Sequence, residues 1–329
     1  MTEAQARATL GEIFSGAWDQ ARIQTLLAEL SARGETVDEI VGFAQAMRAA
    51  VADIGLGPEP PASVDNCGTG GGGRRTFNIS TAAALVAAGA GAQVAKHGNR
   101  STTSVCGSAD VLEAAGVDLA CPPERLGRCL REVGMAFLFA PLLHPAMRHV
   151  MPARRALGTR TVFNLLGPLT NPAGAQAQVI GVAAEGQLRL LAAALAGLGT
   201  RHSLVVYSED GLGEFSTAAV NRVIEIKAGV STGYNFDARD LRLPPPAPGA
   251  LDCGTKADAV AALDRLLAGE TGAYRDIVLL NAAAALLVGG LARNWHEGLE
   301  MSAASLASGA ARAKLNALVA FTGSRGEHA

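Results

Sequence analysis

The chain of 329 residues carries 28 Lys and Arg against 30 Asp and Glu, a formal charge of −2, with 49% hydrophobic and 18% charged residues. That composition excludes a disordered chain, and the near balance of charge speaks against nucleic acid or an anionic membrane as partner, so any anion site must be local. No apolar run is long enough to span a bilayer, and Glu3 stands where a basic leader would begin, so the reading is a cytoplasmic protein with no membrane partner.

The first elements are helical. Thr2 with Gln5 forms a capping box ahead of Leu10, Ile13 and Phe14; Asp19 precedes Ile23, Leu26, Leu27 and Leu30, with Gly34 as the stop; Thr36 with Glu39 forms a second box ahead of Ile40, Phe43, Ala44 and Met47. Three such helices bury their stripes only against one another or a partner. Pro58-Glu59-Pro60-Pro61 ends helix propagation, giving a helical domain over 1–62, joined by parts of 144–175, and a larger domain over 63–329.

Beyond the prolines the period changes. A short strand begins at Val64, and Ala92–His97, Ala136–Ala140, Gln178–Val182, Ser203–Tyr207 and Val223–Lys227 read as strands with helices between many of them. The expected fold is α/β: a small N-terminal helical domain and a large domain with a mainly parallel central sheet flanked by helices. His144 to Pro172 reads as helix and turn. An amphipathic helix from Ala257 to Leu267, an all-round apolar one from Ile277 to Leu287 and a last one from Ala303 to Leu318 complete the chain. The five cysteines, Cys67, Cys106, Cys121, Cys129 and Cys253, are odd in number and lack C-x-x-C spacing, which predicts buried thiols.

The chemistry concentrates between Val64 and Asp110. A strand leads into Gly68-Thr69-Gly70-Gly71-Gly72-Gly73, Asn78-Ile79-Ser80-Thr81 opens an alanine-rich helix, and the next strand ends at Lys96-His97 before the turn Gly98-Asn99-Arg100-Ser101. Glycines bring backbone N–H groups close to a ligand, a helix N-terminus adds free donors, and Lys96 and Arg100 supply full charge, so the unit is suited to phosphate. Each part has a plainer reading: a flexible turn for the glycines, helix capping for Ser80 and Thr81, and a surface lysine for Lys96.

Asp65-Asn66-Cys67-Gly68-Thr69-Gly70-Gly71, Thr76 to Thr81, Lys96 to Ser101, Gly107-Ser108-Ala109-Asp110 and Asn164 to Ala173 together resemble the anthranilate phosphoribosyltransferases, over nearly the whole chain. The resemblance implies transfer of ribose 5-phosphate from phosphoribosyl pyrophosphate to the amine of anthranilate in tryptophan biosynthesis, with Mg2+ as cofactor and a homodimer formed through the helical domain. It assigns the donor to Gly68, Gly71, Gly72, Thr76, Asn78, Ile79, Ser80, Thr81, the run Lys96, His97, Gly98, Asn99, Arg100, Ser101, Thr102, Thr103, Ser104, and Ser108. It assigns the acceptor to Gly68, Asn99, His144, Arg154, Gly167 and Pro168, with Arg154 gripping the carboxylate. For metal it leaves Ser80 and Glu214. No residue is a certain acid or base, because an aromatic amine is already neutral and needs positioning.

The resemblance departs at two points. Gly72 and Gly213 stand where the family pattern carries carboxylates, which implies a weakened magnesium site, doubt over turnover, and partial substitution by Arg74 and Arg75. The rival readings are a diverged paralogue with another aromatic acceptor, a pyrimidine nucleoside phosphorylase, and a lapsed relative binding phosphate ligands or nucleic acid.

Overall fold

A computed structural model describes residues 1–71, 76–101 and 106–324. The helices α1 (Glu3–Phe14), α2 (Gln20–Arg33) and α3 (Val37–Ala49) precede β1 (Val64–Asp65), α4 (Ile79–Gly89), β2 (Val94–Gly98), α5 (Ser108–Ala114), α6 (Pro123–Val133) and β3 (Met135–Phe139). Short helices α7 (Ala140–Leu143), α8 (Met151–Leu157) and α9 (Phe163–Leu166) lead to β4 (Ala177–Gly181), α10 (Glu185–Gly197), β5 (His202–Ser208), β6 (Asn221–Lys227) and β7 (Val230–Phe236). The chain closes with α11 (Lys256–Leu267), α12 (Ala273–Val288), α13 (Trp295–Ala307) and α14 (Ala310–Gly323). This is a small N-terminal helical unit beside a larger sheet-and-helix body, as expected.

The strands form one sheet in the order β3-β2-β1-β4-β5-β6-β7. The first five run parallel, while β6 pairs antiparallel with β5 and β7 antiparallel with β6. Strand β7 was not anticipated from the sequence, because it is an edge strand of mostly exposed Val-Ser-Thr-Gly-Tyr-Asn with no buried alternation. The helix expected over Ala303–Leu318 is divided between α13 and α14 at Gly309, whose φ of +76° no continuing helix adopts.

Both faces of the sheet are covered. Leu204 and Val206 join one core, with α4 packed on α12, α13 and α14, while Val205 between them points into the other. Six consecutive alanine, leucine and valine residues from Ala82 to Ala87 are fully buried, so α4 approaches its neighbours closely enough for Ser305 Oγ to donate to Val86 O at 2.8 Å. The second core holds the stripes of α1 to α3, including Leu10, Ile23, Leu30 and Phe43, against Val150, Phe163, Leu166 and α10. Arg48 Nε donates to Leu169 O at 2.7 Å and Gln20 Nε2 to His149 O at 2.9 Å, tying the 145–169 segment to these helices. Among the described residues no helix is long and apolar enough to cross a membrane.

One polar group matters to the helical unit. Glu39 is fully buried and accepts from the N-terminal amine at 2.7 Å, Thr36 N at 3.0 Å and Arg33 Nη1 at 3.1 Å. Burial pushes its carboxyl up, but these donors outweigh burial and hold it down at about 2. A depressed carboxyl contributes stability above its ordinary value of 4.5 that is lost as pH falls through about 2. Glu39→Gln is expected to cost about 3 kcal/mol at pH 7 and to flatten the acid limb; urea unfolding of both chains at pH 7 and pH 3 measures it. An equal loss at both pH values contradicts the ionised role.

Candidate active site

Strand β1 pairs with β2 on one side and β4 on the other, so the connections leaving it diverge, and the crevice beyond the strand ends is where open α/β sheets bind ligands. Its floor is backbone. Thr69 N donates to Gly181 O at 2.9 Å, a Cβ on Gly68 would lie 2.7 Å from that oxygen, and a Cβ on Gly181 would lie 1.7 Å from Gly213 O. Loops from β1, β4 and the β5–β6 turn thus stack peptide on peptide. Asn66, Ser80, Glu214 and Asn281 complete the lining of a small cavity of about 20 Å3.

Beneath this floor sits Lys96, 1% exposed, whose Nζ donates to Asn66 Oδ1 at 3.0 Å and Ser80 Oγ at 3.4 Å. The surface-lysine reading therefore fails. Burial lowers the ammonium's pKa, while Cys67, Asp65 and Glu214 nearby favour its charge. Burial raises Asp65 to about 6 against the pull of Lys96, and its two oxygens accept from His97 N at 3.2 Å and Asn171 Nδ2 at 2.8 Å. Burial also raises Glu214 to about 7, with Lys96 opposing and Asp210 adding. A half-buried carboxyl beside a second carboxyl is a place that welcomes more positive charge.

The helix-opening residues do more than cap. Asn78 occupies the cap position of α4 but donates from Nδ2 to Cys106 O at 2.9 Å, Ile79 is core, and Thr81 Oγ1 is buried. Thr76 bridges to Asp252 in antiparallel fashion. After β2, Asn99 O accepts from Ser108 Oγ at 3.3 Å, and Asp110 accepts from Gly107 N at 2.9 Å and Ser101 N at 3.4 Å, so the two flanks of this turn meet. Arg100 spends its guanidinium on Glu113 at 2.7 Å and Asp110 at 3.1 Å. Gly72, Arg74, Arg75, Thr102, Thr103 and Ser104 lie outside the described residues.

The residues assigned to the acceptor form a second group. His97 Nδ1 donates to Gly167 O at 3.0 Å and His97 Nε2 lies 3.1 Å from His144 Nε2, while Gln178 Nε2 donates to Pro168 O at 2.6 Å. Burial holds His97 at about 3, with His144 adding, and His144 at about 4, so both rings are neutral at pH 7. Arg154 is half-buried over the Phe163 ring, its Nη2 3.5 Å from Asn164 Oδ1, whereas Arg155 is exposed. Among the described residues Arg154 has no carboxylate partner.

The sequence reading passed over Asp65 and Asn171 as a buried pair, and over Gly181 and Asn281. Asn281 was visible as the one amide in an otherwise apolar run; it exchanges hydrogen bonds with the Phe215 backbone at 3.1 and 2.9 Å, holding the segment that follows Glu214.

The expectation of a weakened metal site, with turnover in doubt, is corrected here. Asp65, Cys67 and His97 each offer one ligand atom, these atoms lie within 4.8 Å of one another, and the three could hold a metal ion whatever stands at 72 and 213. Their donors are mixed, an oxygen, a sulfur and a nitrogen, whereas magnesium takes oxygen ligands. Gly213 itself has φ +79° with open space around it. Of the five thiols expected to be buried, Cys106, Cys121, Cys129 and Cys253 are, whereas Cys67, at the crevice, is half-buried.

Comparison with known proteins agrees with this geometry. Residues 60–312 match the family model described as glycosyl transferase family, a/b domain, and residues 1–51 that of its helical bundle domain. An anthranilate phosphoribosyltransferase of Solibacter usitatus is 47% identical over 99% of this chain and 96% of its own length. That of Pelotomaculum thermopropionicum is 50% identical over 98% and 93%. The crystal structure of anthranilate phosphoribosyltransferase from Thermus thermophilus superimposes with a TM-score of 0.92 at 43% identity, covering 98% of this chain and 96% of that one. The Saccharomyces cerevisiae enzyme in complex with PRPP and Mg gives 0.88 at 25% identity, over 98% and 93%.

Proposed function

The chain belongs to the glycosyl transferase family, among the anthranilate phosphoribosyltransferases, and from that premise we propose that it moves ribose 5-phosphate from phosphoribosyl pyrophosphate to the amine of anthranilate. The observation that carries the reading is the crevice at the β1/β4 switch point, backbone-floored at Gly68, Gly181 and Gly213, with Lys96 below it. Such a place takes a phosphate chain, since N–H groups and one buried cation meet it without a side chain in the way.

In this reading Gly68, Gly71, Thr76, Asn78, Ser80 and the turn from Gly98 to Ser101 with Ser108 receive the donor, and His144, Arg154, Gly167 and Pro168 with Asn99 receive the acceptor. The amine nitrogen attacks C1 of the ribose, the C1–O bond to pyrophosphate breaks with its electron pair leaving on pyrophosphate, and the new ammonium gives its proton to solvent. Because the neutral amine carries its lone pair already, the residues act by placement and charge rather than as a base. Ser80 and Glu214 would hold magnesium together with substrate oxygens, and magnesium when bound supplies charge to the departing pyrophosphate. The half-buried Glu214, its carboxyl raised and Asp210 adding to the rise, supports that placement.

The same premise supports a boundary near residue 62 with 144–175 completing the helical part, a cytoplasmic location, and a homodimer formed through the helices. The apolar stripes of α1 to α3 are already buried within the chain, so such a dimer uses their outer surfaces. Loss of anthranilate fluorescence in the presence of phosphoribosyl pyrophosphate and magnesium tests the reaction; no consumption by folded protein rejects it. Light scattering tests the dimer.

A further inference from the structure

The glycine-rich loop has a cation on its outer side as well as the buried one. Arg160 lies between α8 and α9, and its guanidinium covers Gly71: a Cβ there would fall 2.5 Å from Nη1, 3.4 Å from Cζ and 3.8 Å from Nη2. Gly71 is therefore constrained twice, by a φ of +76° and by the side chain lying over it. Among the described residues the Arg160 guanidinium has no carboxylate partner, whereas Arg33, Arg100, Arg222, Arg293 and Arg312 each have one. Its backbone is held from the other unit, since Ser31 Oγ of α2 donates to Arg160 O at 3.2 Å.

We propose that Arg160 is a pyrophosphate-binding residue, gripping the leaving half of the donor from the mouth of the crevice. Lys96 is buried beneath the floor and committed to Asn66 and Ser80, so it meets the near end of a phosphate chain only. The diphosphate group carries several charges spread over a longer span, and its far end needs a second cation on the solvent side. A planar guanidinium with an open fork, permanently charged and set against a loop of backbone amides, matches phosphate oxygens two at a time. The segment that bears it also bears Arg154, so the same stretch that selects the acceptor would sense the leaving group.

This inference rests on the transferase reading, but its test does not require turnover. Calorimetric titration of the whole chain with magnesium pyrophosphate, and separately with ribose 5-phosphate, is compared for the native protein, Arg160→Ala and Arg160→Lys. Pyrophosphate affinity is expected to fall about tenfold in the alanine variant and less in the lysine variant, with ribose 5-phosphate and melting temperature unchanged. Pyrophosphate affinity within about twofold of native, or equal loss of both ligands, overturns the assignment; so does a raised KM for anthranilate with pyrophosphate binding intact. If the native chain binds pyrophosphate through Arg160 yet transfers nothing to anthranilate, the reaction is wrong and the pyrophosphate site stands.

Discussion

Arg154→Ala is expected to lower kcat/KM for anthranilate by roughly two to three orders of magnitude, about 3–4 kcal/mol, the size of a lost charge-assisted bidentate contact in a half-buried place. The side chain is already positioned: the Phe163 ring lies 5.4 Å below it and Asn164 Oδ1 is 3.5 Å from Nη2. Burial lowers its pKa, which marks a charge kept partly out of water without a carboxylate to offset the cost. An acid-bearing substrate supplies that missing partner. Lysine keeps the charge but loses the planar fork, so Arg154→Lys should fall between native and alanine, about tenfold below native. KM for the donor should stay within about threefold in both variants. Initial rates with each substrate varied in turn measure it; equal damage to both KM values would make Arg154 a brace for α8 instead.

What the sequence disclosed and what it hid follow from how far apart the interacting residues lie. Capping boxes at Thr2 and Thr36 are local, so they were legible, and both form. The parallel strands announced themselves by apolar runs between helices, whereas β7 takes its place by pairing with β6 and shows no buried alternation of its own. Lys96 reads from the sequence as a charge for phosphate, with a surface lysine as its plainer alternative; the packing of Asn66 and Ser80 around its ammonium, which puts it inside, is not written in the local sequence. The bond from Asn171 to Asp65 spans 106 residues, and no periodicity reports it. Reading the glycines at 72 and 213 as missing ligands likewise attended to two chain positions, while Asp65 of β1, Cys67 just beyond it and His97 of β2 converge from separate stretches of chain.

Among the described glycines, Gly181→Ala should be the most damaging added methyl. The new Cβ would sit 1.7 Å from Gly213 O and 2.5 Å from Gly213 C, which are backbone atoms with no rotamer to escape through. Gly181 cannot retreat either: it ends β4 in register with Val206 of β5, and its own oxygen holds Thr69 N at 2.9 Å. The β5–β6 turn must therefore move, drawing Gly213 and Glu214 away from the crevice and opening its floor. Forcing a core apart in this way costs about 1–3 kcal/mol of stability, and donor binding should fall by about a hundredfold or more, because the cradle depends on sub-ångström placement of its amides. Gly213→Ala is the control. Its Cβ meets nothing within 4 Å, so only the left-handed φ of +79° is penalised, by about 1–2 kcal/mol, with the floor left in place. Calorimetric binding of magnesium pyrophosphate and urea unfolding of both variants separate the two. If the variants lose affinity equally, backbone strain rather than the stacked floor governs the site, and the packing account of the crevice fails.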